Sequence, residues 1–400
     1  MLDTITTYRP RVNSNLLIVE LRDDSGVVGL GETFFGAEPV ETYLHEIAAP
    51  LLFEAGCELT PAATGRVLKT YVGYQGSGVE VRGNSALDIA AWDIVAHRAG
   101  LPLYELLGGR VRDSVPVYNT CAGSGYVSSG GQASSNWGLD VDADLDDLNR
   151  FMTDPGGLAC ELLDEGITAM KIWPFDLAAE RTTGAHISNQ DIGAGCDIVG
   201  AIRDSVGDQI EIMIELHGLW NLPSATAICQ ALEPYRPVWV EDPIRPDATS
   251  ALSALKSQTR VPIAAGETLA GRRAFLPLLR DSALDFAIVD LTWTGGVSEA
   301  VSVARMAEAF AVAAAPHDCT GPIALTAGTH LSMSAANVPY QETVRAFYRG
   351  WYPTLVDGLP EISRGQISAG TQPGLGLTLH PGLDDRHDVI TRTSTRRDSR

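Results

Sequence analysis

From residue 115 onward the chain alternates between two patterns. Short apolar, β-branched runs recur at VPVYN (115–119), AMKIW (169–173), IEIMIE (210–215), PVWVED (237–242), PIAAGE (262–267), FAIVDL (286–291), VAAAPH (312–317) and PYQET (339–343). Between them lie longer Ala- and Leu-rich stretches with helical character, such as SVARMAEAF (302–310). Strict alternation of this kind predicts parallel strands joined by helical crossovers. Eight such strands over 115–345 predict an α/β fold, a closed TIM-type barrel, for which about 250 residues is typical. No clear helical pattern follows the eighth strand, so the last barrel helix is expected to be missing.

Residues 1–114 read differently. LLIVELRDDSGVVGLGET (16–33) is two apolar strands around a DDSG turn, followed by helical patterns at 40–54 and 84–100. This predicts an α+β capping domain over 1–114 ahead of a barrel at 115–350. GQISAGTQPGLGLTL (365–379) is strand- and turn-like and is expected to return to the cap, completing it over about 355–382. The polar stretch 383–400 reads as a disordered tail.

Composition narrows the function. The chain has 400 residues, 45% hydrophobic and 20% charged, a soluble globular profile. No apolar run approaches the roughly 20 residues that span a bilayer, and the start, MLDTITTYRP, lacks the pattern of a signal peptide. Six scattered cysteines without a C-x-x-C pair read as free thiols in the cytoplasm. A formal charge of −21 argues against nucleic acid and membranes as partners. It also means that an anionic substrate needs a local positive centre.

The strand ends carry candidate chemistry: Lys171, Glu215, Glu241, Glu267, Asp290, His317 and Glu342. From Glu215 onward the steps are 23 to 27 residues, the length of one βα unit, so each unit delivers one polar residue to the C-terminal rim where barrel enzymes work. Three adjacent carboxylates in a low-dielectric mouth repel one another, and a hard divalent cation relieves that conflict. Oxygen-only ligands suit Mg²⁺ better than zinc. Asp290 behind His317 suits a general base, because a carboxylate fixes the imidazole tautomer and raises its basicity. His217 shares strand parity with Glu215 and is a second candidate acid or base. Lys171 and Trp173 face inward together by the same rule. Lys171 either offers charge to a substrate carboxylate or is bridged to one of the acids.

These residues resemble the enolase superfamily, in its mandelate racemase-like subgroup. The resemblance rests on GLGET (29–33), SALDIAAWDIVAHRAGLPLYELLGG (85–109), VEDP (240–243), AGETLAG (265–271), VDLTWTGGVSEA (289–300) and the PHD around His317. It implies a (β/α)7β barrel under an α+β cap, Mg²⁺ on Glu215, Glu241 and Glu267, and a His317–Asp290 dyad. It also implies that Glu342 hydrogen-bonds the substrate carboxylate, and that the shared step removes the proton α to a carboxylate. Two departures stand out: Trp173 replaces the second lysine of the Lys-x-Lys pair used in two-base racemisation, and Glu215 replaces the usual aspartate. Glu-x-His at the third strand resembles the Asp-x-His of acid-sugar dehydratases. The expected activity is dehydration of a sugar acid to a 2-keto-3-deoxy acid in carbohydrate acid catabolism, with His217 and His317 as acid and base. A cycloisomerase and a racemase or epimerase are the alternatives. Expected substrate contacts are Phe34 and Phe35 in the cap, with Trp173 and Asn119 in the barrel. The Gly/Ser-rich segment Cys121–Gly138 is either a cover over the mouth or a disordered surface loop. A homo-oligomer, dimer or octamer, is also expected.

Overall fold

The computed structural model describes residues 1–69, 76–131, 133–139 and 145–396. The cap opens with three antiparallel strands, β1 (Leu2–Pro10), β2 (Leu16–Asp23) and β3 (Val28–Phe34). The DDSG turn joining the last two is held by Asp23, whose Oδ1 accepts the Ser25 and Val27 amides. The long helix Val79–Ala99 lies directly on β3. A Cβ at Gly29 would sit 2.2 Å from the Ala90 carbonyl oxygen, and one at Gly31 2.0 Å from that of Ala86. The two glycines of GLGET are therefore what lets helix and strand meet.

All eight predicted barrel strands form: β4 (Val115–Thr120), β5 (Ala169–Ile172), β6 (Glu211–Glu215), β7 (Trp239–Glu241), β8 (Ile263–Ala265), β9 (Phe286–Val289), β10 (Ala313–Pro316) and β11 (Gln341–Thr343). They pair in parallel from β4 to β10 in chain order, and β11 pairs in parallel with β4 to close the ring. Between β10 and β11 the link is the Ala314 amide donating to the Asn337 carbonyl at 3.0 Å. Tyr118, Ala169, Met213, Trp239, Ala264, Ile288 and Ala315 fill the interior, so the barrel is a packed plug with chemistry only at its rim. After β11 the helix is reduced to five residues, Arg345–Arg349.

The C-terminal segment departs from expectation twice. Residues 355–382 supply β12 (Val356–Asp357), β13 (Glu361–Ser363), β14 (Gln366–Ser368) and β15 (Thr378–Leu379). Of these β14 pairs antiparallel with β4, so this stretch joins the barrel sheet rather than the cap sheet. It reaches the cap at two neighbouring residues: Gly374 exchanges backbone hydrogen bonds with Leu101 and Leu103, and the Leu375 amide donates to Asp93 of the long helix at 2.7 Å. The cap sheet is instead completed from the expected disordered tail. There β16 (Val389–Thr395) pairs antiparallel with β1 from Pro10↔Val389 to Thr4↔Thr395, giving the order β16-β1-β2-β3. VITRTST is β-branched and mostly solvent-facing, as an outer strand can be, and its polarity hid its β-propensity. Residues 397–400 of that stretch lie outside the described residues.

Cap and barrel are joined at Glu32 of β3. Its carboxylate accepts the Ile323 and Ala324 amides at 2.9 and 2.8 Å, at the start of the barrel helix Pro322–Ser334. Among the described residues no helix is long and apolar enough to cross a membrane.

Candidate active site

Glu215 ends β6, Glu241 ends β7 and stands opposite it in the ladder, and Glu267 follows β8 by two residues. One carboxylate oxygen from each can be chosen so that all lie within 4.8 Å of one another, and all three side chains are buried. Lys171, at the end of β5, points into the same cluster. Its Nζ is 3.1 Å from Glu241, 3.5 Å from Glu215 and 3.0 Å from Glu342. Lys171 is thus bridged to the acids, the second of its two expected readings.

One ammonium cannot balance four buried carboxylates. Burial, opposed by Lys171 but reinforced by Glu215, Glu342 and Glu267, pushes Glu241 well above the usual carboxylate range. Glu342 takes the opposite course: burial disfavours its charge, yet Lys171 and then His317 hold it down to about 2. Its carboxylate also accepts the Thr120 hydroxyl and the Asp318 amide. A crowded set of oxygen donors, with Glu241 and Glu267 both pushed toward their neutral forms chiefly by burial, suits a hard dication.

Two histidine–aspartate pairs flank the acids. His317, just after β10, has Nδ1 2.7 Å from Asp290 and Nε2 3.1 Å from Glu267. The other oxygen of Asp290 accepts both the amide and the hydroxyl of Thr292 at 2.6 Å, so the aspartate is fixed. At the opposite end of the cluster, His217 has Nδ1 2.6 Å from Asp176, and its backbone amide donates to Glu215 at 2.6 Å. His217 has φ 51°, and Asp242 after β7 has φ 36°. Non-glycine residues seldom adopt such angles, and the Gly218 amide bonded to the Asp242 carbonyl at 2.7 Å ties the two strained corners together. Burial opposes protonation of His217, but Asp176 and then Glu215 raise its pKa to about 10. For His317, Glu267 and Glu342 likewise overcome burial and hold the ring well above its ordinary value.

The remaining expected residues are distributed unevenly. Trp173 is buried in a T-shaped contact with His217, centroids 5.9 Å apart. It also packs against Tyr126 and Trp137 of the Gly/Ser-rich segment, at 5.1 and 6.5 Å. That segment therefore covers the mouth rather than hanging free; its residue 132 lies outside the described residues. Asn15 anchors it by donating to the Val127 and Gly130 carbonyls. Phe35, partly buried, leans on Trp293, which lies against His317 at 5.1 Å. Phe34 is fully buried in the core, and its carbonyl accepts from Trp293 and Arg82.

Asn119 does not face the mouth. Its amide donates to Asp147 at 2.8 Å and accepts the Arg345 amide at 2.9 Å, a buried junction behind the strand. Strand alternation turns its neighbours Tyr118 and Thr120 inward instead, and Thr120 reaches Glu342. Sequence reasoning also missed Asp176, which opens a helix after the β5 loop, where strand spacing no longer applies. It missed Arg82 of the cap helix as well, whose guanidinium lies 4.6 Å from the Trp293 ring centre. A groove of about 1230 Å³ between cap and barrel reaches His217 and Asp242 but none of the three acids.

Comparison with known proteins now settles the family. Residues 157–383 match the enolase C-terminal domain-like family, and residues 5–108 match the mandelate racemase/muconate lactonizing enzyme N-terminal domain. The chain belongs to the enolase superfamily. Within it, the chain is 30% identical over 388 residues to a D-galactonate dehydratase of Pectobacterium atrosepticum, covering 95% of this chain and 92% of that one. A D-galactonate dehydratase of Ralstonia nicotianae is also 30% identical, over 392 residues, with the same coverage. Among solved structures, an enolase of the mandelate racemase subgroup from Agrobacterium tumefaciens is 41% identical with a TM-score of 0.83, covering 98% of each chain. An enolase protein from Sargasso Sea environmental sequence is 42% identical with a TM-score of 0.85, again over 98% of each chain. This superfamily member thus shares its cap-and-barrel architecture over nearly its whole length.

Proposed function

We propose that the protein is a hydro-lyase that dehydrates a sugar acid to a 2-keto-3-deoxy acid. The observation that carries this reading is the pair of histidine–aspartate dyads at opposite ends of one buried acidic cluster. Removing the weakly acidic proton α to a carboxylate needs a positioned base, and expelling a β-hydroxyl needs a proton donor. One dyad serves each need.

Glu215, Glu241 and Glu267 would hold Mg²⁺, which when bound supplies positive charge to the substrate carboxylate as negative charge accumulates on it. Lys171, bridged to Glu215, Glu241 and Glu342, offsets part of their charge, so that with the cation bound the pocket can receive an anionic substrate despite a net charge of −21. The His317 Nε2 takes the α-proton while Asp290 keeps the proton on Nδ1 and orients the ring. Were Glu267 to ligate the cation, its pull on the His317 proton would be weaker and Nε2, 3.1 Å away, would be better able to accept one. His217, held in its charged form by Asp176, gives its proton to the departing hydroxyl, which leaves as water. The resulting enol becomes the 2-keto acid. Support for a sugar-acid substrate comes from the two D-galactonate dehydratases.

The test is a panel of mono- and diacid sugars with Mg²⁺, followed by a carbonyl reagent and by proton NMR in D₂O. A 2-keto product that vanishes with EDTA is the expected result. Deuterium at C2 without a keto product would move the assignment to racemase or epimerase. A new ring-opened acid would move it to cycloisomerase.

A further inference from the structure

We infer that Tyr126, from the segment after the first barrel strand, donates a hydrogen bond to a hydroxyl of the substrate and so makes the site selective for a polyhydroxylated acid. The inference rests on the sugar-acid reading above and names the group that recognises the sugar. Tyr126 is only 2% exposed, yet its hydroxyl has no hydrogen-bond partner among the described residues. An unpaired buried hydroxyl costs about 1–3 kcal/mol, so its retention asks for a partner that arrives with a ligand.

The position of that hydroxyl is fixed from several sides. The Tyr126 ring packs on Trp173, which in turn makes a T-shaped contact with His217. Asn15, donating to the Val127 and Gly130 carbonyls, holds the segment that carries Tyr126 in place. The indole Nε1 of Trp173 is also buried without a partner, and so is one carboxylate oxygen of Asp176. Trp173 and Asp176 both border His217 and Tyr126 packs on Trp173, so two donors and an acceptor are left unsatisfied on one connected patch. Burial, the largest influence, keeps the Tyr126 phenol neutral, so it donates to an oxygen lone pair and adds no charge. A hydroxylated carbon chain satisfies all three groups, whereas an apolar side chain leaves them unmade.

The test is a substrate-deletion cycle with Tyr126→Phe, which keeps the ring stack and removes one oxygen. Binding of D-galactonate and of deoxy analogues lacking one hydroxyl each would be measured calorimetrically in the presence of Mg²⁺, on wild type and variant. The expected result is about a tenfold loss of affinity for D-galactonate that disappears for one particular deoxy analogue. An equal loss for every analogue would assign Tyr126 a purely structural role, and no loss at all would discard the contact; either overturns the inference alone. If wild type binds neither these acids nor any other acid of the panel, the sugar-acid reading itself falls and takes the inference with it.

Discussion

The two histidine–aspartate pairs are nearly identical in length, 2.7 Å for His317–Asp290 and 2.6 Å for His217–Asp176, but they are held in different ways. Asp290 is saturated by Thr292, and His317 sits on relaxed backbone at a strand end against Trp293. His217 stands on a left-handed backbone corner, and Asp176 keeps one buried oxygen unpaired. The same side-chain chemistry is therefore rigid at one end of the cluster and strained at the other. A base that must meet a C–H bond at one fixed angle gains from rigidity. Strain and unmade hydrogen bonds suit a group whose partner is a leaving group that departs.

The largest expected effect falls on what both dyads share. Glu241→Gln should abolish Mg²⁺ binding measured by calorimetry and remove turnover, as should EDTA on wild type, with activity returning on adding Mg²⁺. Next, His317→Asn should cost about 10³-fold or more in turnover and stop deuterium exchange at C2. His217→Asn should lose the keto product to a similar extent yet still exchange deuterium; if both variants lose exchange equally, the division of labour between the dyads is wrong. Lys171→Met leaves Glu342 and Glu241 without their cation and should lower kcat/KM by about 10²-fold. It should also make thermal stability more dependent on Mg²⁺ than in wild type.

The smallest effect concerns a histidine outside the site and tests whether rigidity around the barrel is a matter of neutral packing. His330 accepts the Tyr104 amide and its Nε2–H donates to the Leu375 carbonyl, both at 3.2 Å, so the fold holds the neutral ring. Burial lowers its pKa from 6.5 to about 4. Its contribution to stability is thus complete above pH 6.5 and is lost as pH falls toward 4. Urea unfolding should show a loss on the order of 2 kcal/mol between pH 7 and pH 5 that His330→Asn lacks. Equal slopes for the two proteins would remove His330 from the account.

The barrel was legible because its signals repeat. Eight apolar runs ending in polar residues one βα unit apart gave the fold and drew attention to Glu215, Glu241, Glu267, Asp290 and His317. Legibility failed where that spacing stops. Asp176 lies on a helix start, Tyr126 in an irregular loop and Arg82 on a cap helix, and none shares a period with the strand ends. Asn119 was an error of one residue in a two-residue alternation, which turns a side chain to the opposite face. Strand β16 was hidden by its polar composition, since only the bare edge of β1, almost four hundred residues earlier, makes it a strand.

That last pairing bears on the order in which the protein can be made. β1, β2 and β3 leave the ribosome ahead of the barrel, but one side of β1 stays open until Val389–Thr395 has been synthesised. At about 5–20 residues per second, the edge is exposed for roughly 20 to 80 seconds. During that interval any strand-forming segment of a neighbouring nascent chain can add to it. Until then the cap sheet carries an open strand edge that the folded structure closes.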